Sequence, residues 1–158
     1  MQIRTILVPV DFSEFTRMVM DYAAFIAKNF NSRMIVLHVL QSFEISEAVN
    51  WMEAVMPVRP GVDLLGQVRE SAEKQLASLK AQYADLPVSI AARIEEGVPF
   101  VEIVRVAARD DVDLIVMGSH GRTGIRHLLI GSVAEKVVRK APCPVLCVKN
   151  KEFQFQMV

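Results

Sequence analysis

The chain has 158 residues, 52% of them hydrophobic, and its 18 Lys+Arg balance 18 Asp+Glu. That length suits one domain large enough to bury a core, and the neutral balance supplies no global field for nucleic acid or an anionic membrane. No apolar run approaches the ~20 residues of a membrane helix, and no charge block, repeat or low-complexity tract leaves room for disorder.

The first strand candidate is Ile3–Pro9. It lacks the longer apolar core and small-residue cleavage site of a signal peptide, so the expected compartment is the cytoplasm. Asp11-Phe-Ser13 follows, with Ser13 as N-cap of a first helix whose stripe is Phe15, Met18, Val19, Tyr22 and Ile26. The second strand is Met34–Leu40. Gln41–Asp63 then fits a strand–helix alternation least well. It holds Trp51, Met52, Val55 and Met56 before Pro57 and Pro60-Gly61, and reads either as a short surface helix or as a lid or partner-binding segment.

A second helix runs from about Leu64 to Tyr83, with Leu65, Val68, Ala72, Leu76 and Leu79 inward. Val88–Ile94 is the third strand. Pro99 opens a third helix, as proline favours the first turn, with Ile103, Val104 and Ala107 on its apolar side. Leu114–Met117 is the fourth strand. A fourth helix begins at or near Gly131, carries Val133, Val137 and Val138, and stops before Pro142. Val145–Val148 is the fifth strand. Cys143 and Cys147 span roughly 13 Å if both lie in that strand, too far for the ~7 Å limit of a disulfide. Without a second Cys/His pair at zinc spacing, they are expected as buried, reduced thiols.

Apolar strands alternating with helices imply a parallel sheet covered on both faces, wound by right-handed crossovers. Ligands of such sheets sit beyond the carboxyl ends of the strands, where strand order reverses. Two loops lie on that rim. One holds Asp11. The other begins Gly118-Ser-His-Gly121 and reaches Gly131-Ser132, a G-x-x-G-x9-G-S spacing that is neither the P-loop nor the dinucleotide fingerprint. Glycines admit an anion close to the backbone, and a helix start offers unpaired N–H groups. With Gly124, Arg122 and Arg126 in the same stretch, a polyphosphate is the natural occupant. Asp11 has two readings that can coexist: an Asx turn capping the first helix, or a contact to a ribose or a phosphate-bridging metal. His38 reads as a core histidine, His120 as a loop-conformation residue and His127 as exposed. Ser119 and Ser132 read as hydrogen-bonding groups, and no nucleophile–base pair stands out.

Taken together, Ile6-Leu-Val-Pro-Val-Asp-Phe-Ser13, Leu37-His-Val39, Gly97-Val-Pro99, Asp113-Leu-Ile-Val-Met-Gly-Ser-His-Gly-Arg122, Leu129-Ile-Gly-Ser-Val-Ala134 and Ala141-Pro-Cys-Pro-Val-Leu146 carry a resemblance across nearly the whole chain. In order and spacing they resemble the universal stress protein family, in its ATP-binding branch. The resemblance implies one domain over residues 1–150, with 41–63 a variable insert and 151–158 a tail. It further implies a five-stranded parallel sheet in the order 3-2-1-4-5, and a homodimer joined through Val145–Val148. Matched residue by residue, the nucleotide site comprises Gly118, Gly121, Arg122, Gly131, Ser132 and Val133 around the phosphates and ribose. Asp11 follows the first strand with Val10, the backbone of Val39 meets the adenine edge, and Pro9 and Met117 wall the base pocket.

The implied ligand is ATP, or ADP or AMP, with Mg²⁺ or Mn²⁺ accompanying the phosphates. The leading role is a regulatory stress-response dimer that signals through a protein partner. The alternatives are a slow ATP hydrolase or phosphotransferase, for which no base or arginine finger can be assigned, and a nucleotide-free interaction module. A phosphoacceptor receiver domain is disfavoured, because Glu95-Glu96-Gly97 stands where its aspartate belongs.

Overall fold

The computed structural model describes residues 2–41, 63–119 and 130–149. Among these residues four helices and five strands alternate: β1 Thr5–Pro9, α1 Thr16–Phe30, β2 Arg33–Leu40, α2 Leu64–Ala81, β3 Ile90–Glu96, α3 Pro99–Arg109, β4 Leu114–Gly118, α4 Ser132–Lys140 and β5 Val145–Val148. All strand pairings are parallel, in the order β3-β2-β1-β4-β5. The expected doubly wound sheet is therefore the observed one.

Alternation along each strand divides the core into two layers. Ile6, Val8, Met34, Val36, Leu114, Val116 and Val148 pack under α1 and α2. Leu7, Ile35, Leu37, Val39, Ile115 and Met117 pack under α3 and α4. β1 and β4 are buried on both faces, which is why they read as unbroken apolar runs.

Several expected boundaries and faces move. β3 runs two residues later than Val88–Ile94, because Val88 is held in a turn by Leu86 and pairing with β2 begins beyond Ser89. As an edge strand it tolerates Glu95 and Glu96, which Arg105, Arg109 and Arg69 neutralise. The inward stripe of α1 is Thr16, Val19, Met20, Ala23, Ala24 and Ala27. Small alanines let the helix lie close to the sheet, and Tyr22, expected inward, is 44% exposed. Leu65 and Val138 also face out, whereas Ala72, Leu76, Leu79, Ile103, Ala107 and Val137 are buried as expected. Ser13 does not cap α1; Phe15 occupies the N-cap position without a side-chain bond. Cys143 precedes β5 rather than lying within it, and both cysteines are free and half-buried rather than buried. Burial pushes both thiols above their ordinary range, and the nearby Asp113 charge adds to this at Cys143. Such thiols are poor nucleophiles.

Candidate nucleotide site

β1 and β4 are neighbours in register, Ile6 opposite Leu114 and Leu7 opposite Ile115. The strand order reverses between them, so the loops after β1 and β4 flank one crevice.

On the β1 side, Val10 is tied to β2 twice. Its N–H donates to the Leu37 carbonyl at 2.8 Å, and its carbonyl lies 2.9 Å from Nδ1 of His38. A carbonyl only accepts, so Nδ1 of His38 carries a proton. His38 is 5% exposed, as expected of a core histidine, and its ring lies 4.4 Å from that of Phe12. Phe12 takes a left-handed φ of 59°, which reverses the chain into α1. Asp11 closes this turn: its Oδ1 accepts from the Ser13 N–H at 3.0 Å and the Thr16 hydroxyl at 3.5 Å. The Asx turn expected at Asp11 is therefore present, but it does not cap α1, whose N-cap Phe15 has no side-chain bond.

Val39 lies beside this turn. Leu37 uses its carbonyl toward β1, and Leu40 uses its own toward Gly97 beyond β3. By alternation, the peptide edge of Val39 faces the β1 side, above the point where β1 ends. Side-chain alternation also puts Val39 and Met117 in the layer under α3 and α4. Pro9, two residues after Leu7, continues that face.

On the β4 side, Gly118 ends the strand opposite Val148. Ser119 is 2% exposed and donates its N–H to the Val148 carbonyl at 2.9 Å. Its carbonyl accepts the Gly131 N–H at 2.7 Å, which draws the start of α4 against the end of β4. Gly131 is the N-cap of α4 in an extended conformation, and no side chain of the described residues caps the helix. The first-turn amides of Ser132, Val133 and Ala134 therefore have no intrahelical acceptor, and the helix start carries partial positive charge.

Six of the expected residues converge on this rim: Pro9, Val10, Asp11, Val39, Met117 and Gly118. Gly131, Ser132 and Val133 join them through the Ser119 link. Gly121 and Arg122, together with Gly124, Arg126, His120 and His127, lie outside the described residues, as does nearly all of the Gln41–Asp63 segment. Sequence reasoning missed Phe100, at the start of α3. It is packed against the core layer that includes Val39 and Met117, as Val133 is, and carries the ammonium of Lys136 5.1 Å from its ring centre. Among the described residues, no three His, Cys, Asp or Glu side chains gather as a metal site. None of the described helices is long and apolar enough to cross a membrane.

The universal stress protein family model matches residues 2–149. This chain is a member of the universal stress protein family. Universal stress protein MJ0577 of Methanocaldococcus jannaschii is 32% identical over 155 residues, covering 94% of this chain and 96% of that protein. Its solved structure superposes with a TM-score of 0.81, covering 96% of this chain and 99% of that one. Universal stress protein MJ0531 of the same organism is 34% identical over 148 residues, covering 93% of this chain and 82% of its own length. The universal stress protein of Archaeoglobus fulgidus, solved in complex with dAMP, shares the fold at a TM-score of 0.65 and 24% identity. That alignment covers 94% of this chain and all of the other.

Proposed function

We propose that this universal stress protein binds an adenine nucleotide, ATP or its products ADP and AMP, in the crevice between β1 and β4, and acts as a regulatory dimer in the cytoplasm. One observation carries the reading: the Gly131–Ser119 hydrogen bond brings an uncapped helix start to the rim that also holds Asp11 and the outward peptide edge of Val39. Hydrogen-bond donors for phosphate then stand on one side of the crevice and a peptide edge for a base on the other. The dAMP complex of the Archaeoglobus fulgidus protein agrees with an adenine nucleotide as ligand of this fold.

In the proposed arrangement the adenine lies over Val39, between Pro9 and Met117. The ribose approaches Asp11, and the phosphates lie at Gly118 and the amides of Ser132 and Val133. Gly121 and Arg122 complete the phosphate side, with Mg²⁺ or Mn²⁺ as counterion. Two copies join through β5, and the loaded dimer presents its state to a protein partner. The test is to purify the protein without added nucleotide, denature it, and identify what is released by chromatography. Adenine nucleotide is expected. Release of none, together with no rise in melting temperature on adding Mg-ATP, would refute the reading.

A further inference from the structure

The geometry points to Lys136 as the residue that grades nucleotide affinity by phosphate number, moving from the ring of Phe100 onto the phosphates beyond the first. This rests on the nucleotide-binding reading above.

Ser132 and Lys136 stand four apart on α4, so they share one helix face. Long helical side chains lean back toward the N-terminus, and four residues rise only about 6 Å, within the reach of a lysine stem. An ammonium at position 136 can therefore attain the level of the uncapped amides of Ser132 and Val133.

Its present position is a weak one. Lys136 lies 5.1 Å from the Phe100 ring centre, and Lys140 crowds the same ring at 5.7 Å. An exposed cation–π contact contributes only about 0.5–1 kcal/mol, and the two ammoniums repel. Glu135, the acid of α4, is engaged by Arg139 at 2.9 Å. Neither Lys136 nor Lys140 forms an ion pair with a described residue. Two cations without counter-charge among the described residues, on a ring packed against the layer that includes Val39 and Met117, favour an anion arriving from the crevice.

The same layout says which phosphates are touched. β2 and β4 are two strand spacings apart, about 10 Å, a distance covered by a base at Val39 and its ribose. The first phosphate then falls at the end of β4 and the start of α4, where backbone amides receive it. In the proposed pose the later phosphates extend along α4, toward the face that carries Lys136.

The experiment measures the affinities of the full chain for Mg-ATP, Mg-ADP and AMP by calorimetry, in wild type, Lys136→Met and Lys136→Arg. Methionine keeps the stem and its contact with Phe100 but removes the charge. The expected result is an ATP affinity about tenfold lower in Lys136→Met, the scale of one charge-assisted hydrogen bond. AMP binding should stay within about twofold, because its phosphate is held by the backbone amides, and Lys136→Arg should recover most of the loss for ATP. An unchanged ATP-to-AMP ratio in Lys136→Met, or an equal loss for both nucleotides, overturns the assignment while leaving the site intact. No binding of any adenine nucleotide by the wild type overturns the site itself, and Lys136 with it.

Discussion

The backbone N–H of Gly131 donates to the carbonyl of Ser119 at 2.7 Å, so the end of β4 and the beginning of α4 are held together at the rim of the sheet. The bond uses the N–H of the glycine and leaves its side chain as the missing element of the cap. Gly131 has φ −72° and ψ 154°, which any residue adopts, so its role is to offer no competing acceptor. Aspartate is among the best N-cap residues and glycine nearly as good, the two differing by a few tenths of a kcal/mol. Gly131→Asp should therefore leave the melting temperature of the free protein unchanged or slightly raised. The new carboxylate should occupy the first-turn amides and repel phosphate, abolishing stabilisation by Mg-ATP. Retained stabilisation would place the phosphates elsewhere.

Gly97 supplies a prediction of the opposite kind, since its backbone does demand glycine. Its φ is +143°, and a Cβ there would stand 3.0 Å from Oε1 of Glu102. Glu102 is buried and paired with Arg105 one turn along α3, so it has little freedom to retreat. Gly97→Ala should cost about 1–3 kcal/mol in urea unfolding, the range for a residue forced into a sparsely populated backbone region. A cost below about 0.5 kcal/mol, the range of neutral surface changes, would mean that the turn after β3 adapts freely.

At the opposite end of the sheet, Asp113 receives the N–H groups of Arg4 and Thr5 at 2.8 and 2.9 Å. Those two bonds hold its carboxyl below the ordinary range. A carboxyl with a depressed folded-state pKa adds stability above the unfolded value, near 3.9, and loses it as pH falls through the folded one. Asp113→Asn should therefore be less stable than wild type by about 1–2 kcal/mol at neutral pH. The difference should shrink steadily below about pH 4. A gap independent of pH would assign the cost to packing rather than to the carboxylate.

What the amino-acid pattern reveals depends on burial. β1 and β4, covered on both faces, announce themselves as apolar runs, and their loop ends locate the crevice. β3 is an edge strand whose Glu95 and Glu96 are satisfied by arginines from α2 and α3, so composition alone places its end too early. On α1, apolar spacing favours bulky Tyr22, whereas close packing selects Ala23, Ala24 and Ala27. The rim positions of Asp11 and Gly131 are legible because one follows a strand and the other opens a helix, whereas Val39 is singled out only by the family resemblance. The Phe100–Lys136 contact is not, because it joins two helices far apart in sequence, and only the crossover topology makes them neighbours.

The two edges of the sheet differ in a way that bears on assembly. β3 is laced to α2 and α3 by Arg69, Arg93, Arg105 and Arg109, which meet Glu95, Glu96 and Asp110. Charges of this density discourage a second strand from pairing there. Among the described residues β5 has no such protection: it reads Val-Leu-Cys-Val, and Leu146 is 38% exposed. If two copies join edge to edge, β5 is the strand that accepts the partner. Leu146→Lys places a charge on that edge, the device natural sheets use to block pairing, and should convert a wild-type dimer to monomer in light scattering. The charge change Glu95→Gln on the β3 edge should leave the mass unaltered. A wild type that is monomeric at tens of micromolar, or a Leu146→Lys variant that stays dimeric, would remove β5 as the joining strand.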